Sequence, residues 1–140
     1  MKKEKLLLRL STALVLISAF SILSVSLLAF YNPQAVMDLV ATKLPNNDAA
    51  SSIRGVFGGV GLTIVVCLLY SFRQNVQQSL GLLSIFWSLY ALSRIITIYA
   101  EGKLGGFGTQ WLIIETCFSV MAVALWVLVR KTRTNAVSAA

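Results

Sequence analysis

Polar residues interrupt the apolar ones at only a few places along this chain, and the intervals between those places decide its elements. Residues 6–30 are apolar apart from Arg9 near the start, serines and one threonine, a run roughly 37 Å long as a helix and therefore able to cross a bilayer. Three more runs of spanning length follow, at about 53–72, 80–100 and 109–129. The breaks between them differ in kind. Residues 31–52 are polar and carry Asn32-Pro33 and Pro45-Asn46-Asn47, residues 73–79 form a short Gln/Asn turn, and residues 101–108 are glycine-rich. The short turn makes its flanking helices antiparallel neighbours. The pattern predicts an all-α fold, an integral membrane four-helix bundle forming one domain over residues 1–140.

Within the first polar break, Val36, Leu39, Val40 and Leu44 recur at helical spacing while Asp38, Thr42 and Lys43 point elsewhere. Asn32-Pro33 suits an N-cap and first turn, so a short amphipathic helix lying on the membrane surface is expected there. The basic start and long first run read as an uncleaved signal anchor, because the run exceeds a usual signal-peptide core and Leu27-Leu28-Ala29 is a poor cleavage site. Arg130, Lys131 and Arg133 end the fourth span, and residues 134–140 read as a frayed tail. Serines 11, 18, 21, 24 and 26 either bond their own preceding carbonyls or bridge to another helix.

Composition changes the picture in one respect: at 57% hydrophobic and 12% charged, the chain has too few charges to wet the outside of a soluble bundle. The net charge of +7 would suit nucleic acid, but its distribution points to membrane topology instead. Lys2, Lys3, Lys5 and Arg9 against Glu4, then Arg73, then Arg130, Lys131 and Arg133 carry the whole surplus; the remaining charges cancel. With four spans, all of these fall on one side. The expected localisation is the bacterial inner membrane, with both termini in the cytoplasm and no nucleic-acid partner.

Candidate chemistry is sparse. There is no histidine, and Cys67 and Cys117 lack redox or metal spacing, so they read as packing residues and no cofactor or metal is expected. Gly55, Gly58, Gly59 and Gly61 open the second span without the preceding strand or Gly-Lys-Ser/Thr of a phosphate loop, and read as a smooth helix-packing face. Arg94 lies inside the third span and Glu115 inside the fourth, at matching depth if the two helices are antiparallel. Arg54 enters from the same side, either snorkelling to the interface or joining them, and Glu101 is near in projection. These four residues define an expected polar pocket: a ligand site for an anionic headgroup or small molecule, or a structural ion pair.

Arg54-Gly55 with Gly58 and Gly61, Arg94, Glu101-Gly102 and Glu115 resemble a widespread bacterial family of small four-span inner-membrane proteins, a domain of unknown function, over roughly residues 30–130. The resemblance implies the four-span fold and a role for Arg54, Arg94 and Glu115. A looser likeness to DoxX-type four-helix proteins implies association with other membrane components. Without histidine, and with Glu115 beside an arginine that disfavours it as a base, the chain is expected not to be an enzyme. The first expectation is a binding or accessory subunit of a larger membrane complex, its partners membrane lipid and another membrane protein or a second copy. The alternative is a small-solute or lipid carrier working as a homo-oligomer.

Overall fold

In a computed structural model, which describes residues 2–138 and side chains as far as residue 132, the chain is entirely helical. Helix α1 (Lys2–Tyr31) is followed by the short α2 (Pro33–Asp38), and α3 (Asn47–Ile53) passes through a π-helical segment (Arg54–Val60) into α4 (Gly61–Gln74). Helices α5 (Val76–Glu101) and α6 (Gly106–Ser138) complete the fold. Four helices are long and apolar enough to cross a membrane: Lys2–Tyr31, Asn47–Gln74, Val76–Glu101 and the part of α6 at Gly106–Thr132. The protein is therefore a multi-pass membrane protein.

Asparagines set the helix starts. The side chains of Asn32, Asn46 and Asn75 accept from the amides of Ala35, Ala49 and Gln77, satisfying donors that the first turn leaves open. Asn75 also ends α4, so one residue turns the chain back on itself. At the other end of α5, Gly102 takes φ +100°, a conformation that a side chain resists.

Helix α1 packs against α4, α5 and α6, whereas α4 and α6 sit at opposite corners. It is the most enclosed span, with 39% of its most apolar stretch buried against 11% for α6. The core runs through Val15, Leu68, Leu80, Leu83, Trp87 and Ala122, while large side chains such as Phe20, Ile85 and Val120 face outward. An apolar exterior has no stabilising role in water and is what hydrocarbon requires.

Polar groups join the helices. Trp87, 4% exposed, donates from Nε1 to Ser18 Oγ at 3.1 Å, linking α5 to α1; Ser88 and Ser119 share a 2.6 Å bond between α5 and α6; Ser79 donates to Leu68 O at 3.4 Å. Of the α1 serines, Ser21, Ser24 and Ser26 bond the carbonyl four residues back, while Ser18 bridges and the buried Ser11 hydroxyl has no partner. Both alternatives left open by the sequence therefore occur on one helix.

Several boundaries differ from expectation. The helix after Asn32 stops at Asp38: Val36 and Met37 are buried against α1, but Leu39 and Val40 are exposed. The chain leaves α2 through a turn in which Thr42 N bonds Met37 O at 3.0 Å, Ala41 N bonds Asp38 O at 3.1 Å and Ala41 adopts φ 54°. Gln34 holds this turn closed, donating to Asp38 Oδ1 and Thr42 O and accepting from Leu44 N at 2.7, 3.0 and 2.9 Å. Replacing Gln34 with Ala removes three bonds at once, and amide exchange in residues 38–44 is expected to rise at least tenfold while the spans stay protected. The second span begins at Asn47 rather than near residue 53, and α6 continues to Ser138 where a frayed tail was expected. Residues 139 and 140 lie outside the described residues. Cys67 and Cys117, read as packing residues, are both exposed on the outer surface of the bundle.

Candidate functional site

Arg94 and Glu115 are placed by two long helices joined through four residues. Seven residues separate Arg94 from the end of α5 and nine separate Glu115 from the start of α6, depths of roughly 10 and 13 Å. The guanidinium meets the carboxylate side-on: Nε donates to Oε2 at 2.6 Å and Nη2 to Oε1 at 2.8 Å. Both carboxylate oxygens are engaged by one partner. Glu115 is 1% exposed and the Arg94 side chain 21%. This bidentate form is the strong one, and in a span it offsets the cost of removing both charges from water.

Deeper in the bundle the pair is underlain by aromatic rings. Trp87 stacks on Phe118 with centroids 5.0 Å apart, and Phe86 lies 4.8 Å from Tyr90, one turn before Arg94. The Ser88–Ser119 bond lies at the level of these rings, beside Trp87 and Phe118 in sequence. Arg94 and Glu115 thus cap a well-packed α5–α6 interface, and three of the five guanidinium N–H groups remain for acceptors outside the pair.

The other expected members of the pocket lie elsewhere. Arg54 is exposed on the π-helical segment, which packs on α1, α3 and α4, and its Nε donates to Phe30 O at 3.1 Å. It closes the C-terminal end of α1, where carbonyls lack intrahelical donors. Glu101 is exposed as the last residue of α5 and has no ion-pair partner among the described residues. The sequence projection placed Arg54 and Glu101 beside Arg94 by depth alone. Depth does not fix the direction in which a side chain points.

The four glycines also separate into two kinds. A Cβ on Gly58 would meet the Phe30 ring at 3.1 Å, and one on Gly61 would collide with Ser26 Oγ, so these two face α1 closely. Gly55 and Gly59 have nothing within 4 Å of that position and look outward. The π-helical turn shifts the phase of the face, which regular helical spacing in the sequence did not reveal. Among the described residues no three His, Cys, Asp or Glu side chains gather to hold a metal ion.

Gln34, the α2 turn it holds, and the π-helical segment were not singled out from the sequence. The dense glycines were the one available signal for the last of these, since π-bulges concentrate at functional positions. A family model, Domain of unknown function (DUF4345), matches residues 10–129. Neither a curated protein nor a solved structure matches the chain. The matched segment takes in the four spans almost whole, together with Arg54, Arg94 and Glu115, and the chain belongs to the DUF4345 family.

Proposed function

We propose that this protein is a non-catalytic subunit of the bacterial inner membrane, with both termini in the cytoplasm, that docks on a larger membrane assembly through the outward face of its second span. The observation that carries the reading is the open space around Gly55 and Gly59. Each glycine costs a helix interior about 1 kcal/mol relative to alanine, a cost that close approach of a second helix offsets. Among the described residues nothing lies within 4 Å of a Cβ at either position. The orientation rests on the basic surplus at the end that carries both termini.

In this reading the Arg94–Glu115 pair holds α5 and α6 in register, since its carboxylate is spent on the arginine. The test is affinity purification of the tagged chain in mild detergent beside a Gly55→Leu/Gly59→Leu variant. The unaltered chain is expected to bring down one membrane protein in fixed ratio, and the variant to lose it while melting at the same temperature or above. A lone monomer or a homo-oligomer in both samples would overturn the accessory role. Solute flux or lipid exchange in reconstituted vesicles would favour a carrier instead.

A further inference from the structure

A cavity of about 350 Å³ opens at the end of the bundle that carries both chain termini, remote from Arg94. Leu7 and Leu8 of α1, Val76 of α5 and Val129 of α6 give it apolar walls, and Gln74 and Asn75 give it a polar edge. We propose that this cavity seats the headgroup region of an anionic phospholipid from the leaflet on that side of the membrane.

Three independent features fit that occupant. The first is charge. Lys2, Lys3, Lys5 and Arg9 sit on the same first turns as Leu7 and Leu8, Arg73 precedes Gln74, and Lys131 adjoins Thr132, another lining residue. Arg73, Arg9 and Lys131 are exposed and make no hydrogen bond or ion pair among the described residues. Arg130 differs in lying 5.6 Å over the Trp126 ring. Glu4, the one acidic lining residue, already has an interaction of its own. None of these cations is among the described lining residues; they flank the opening from its rim, within reach of a headgroup that projects from it, and a basic rim between spans attracts an anionic headgroup.

The second is donor supply. Asn75 spends its carbonyl oxygen on Gln77 N, which leaves its amide NH₂ as donor, and the Gln74 amide is uncommitted. Val76 begins the 26-residue α5, whose N-terminal end adds positive partial charge at the cavity. The third is the apolar wall, which separates a lipid from a free anion. Leu8 is 54% exposed although it lines the cavity, and inorganic phosphate would leave it uncovered where an acyl chain would not. The volume suits a headgroup and glycerol rather than a whole lipid.

The test is native mass spectrometry of the full chain in neutral detergent, with phosphatidylglycerol or phosphatidylcholine added, alongside melting with each lipid and with inorganic phosphate. One phosphatidylglycerol per chain is expected, retained at least tenfold better than phosphatidylcholine, with no rise in melting temperature from phosphate. Arg73→Gln with Lys131→Gln is expected to lower retention about tenfold. Val76→Trp fills the cavity and keeps every charge, and it is expected to abolish the 1:1 species; Leu8→Trp, at a half-exposed position, replaces it if the first variant does not fold. Equal retention of the two lipids would overturn the proposal. So would full retention in the filled variant, which would mean attraction to the basic surface alone, or protection by phosphate, which would mean a free-anion site.

Discussion

Replacing Glu115 with alanine is expected to destabilise the folded bundle by about 3 kcal/mol or more, read as a shift in the SDS concentration that unfolds it. The cost arises because Arg94, with its side chain only 21% exposed, would keep its charge inside the bundle and lose both of its hydrogen bonds. Arg94→Ala is expected to be comparable, since Glu115 would then be almost wholly buried without a counter-ion. Exchanging the two, Arg94→Glu with Glu115→Arg, should recover part of the loss. Replacing both with apolar residues of similar volume, Arg94→Met with Glu115→Leu, is expected to fall within about 1 kcal/mol of the unaltered chain, because the desolvation cost disappears together with the attraction. A single Glu115→Ala variant that unfolds at the original SDS concentration would mean that the pair contributes nothing to holding α5 against α6.

The second large effect concerns the closest approach of α4 to α1. Gly61→Ala is expected to cost about 1–3 kcal/mol, because the new methyl would occupy the position of Ser26 Oγ, a buried hydroxyl already bonded to Ile22 O at 2.8 Å. Adding Ser26→Ala to the same chain should restore most of the stability, since the nearest remaining atom is Ser26 Cβ at 3.4 Å. Gly55→Ala gives the opposite sign. With nothing within 4 Å, the purified chain is expected to lose nothing and to gain up to about 1 kcal/mol of helix propensity. If Gly61→Ala and Gly55→Ala behave alike, the packing assigned to Gly61 is wrong.

The parts of this structure that the sequence made legible are those governed by one-dimensional physics. Hydrocarbon thickness and hydropathy locate the four spans, and opposite charges at equal depth on neighbouring helices find each other, as Arg94 and Glu115 do. Direction around a helix axis was far less legible. In a soluble bundle a polar stripe marks the outward face, but here Cys67 and Ile85 face outward with the same apolar character as Leu68 and Leu83, which face in. The π-helical turn compounds this. A wider turn between Arg54 and Val60 alters the facing of everything before it, so that Arg54 reaches the Phe30 carbonyl instead of Arg94. The turn closed by Gln34 was hidden for another reason, because a glutamine carries no periodic signal and its bonds depend on a chain reversal eight to ten residues long.

Helix α1 is made before any of its neighbours, yet it becomes the most enclosed of the four. Through the synthesis of α4 and much of α5, its Ser18 hydroxyl has no indole to meet and the methyls of Val15 border acyl chains. The bundle thus matures around a strut that waits for its clamps, and the last of these arrives with α6. Until α6 has followed α5 into the membrane, Arg94 lacks the carboxylate that α6 supplies.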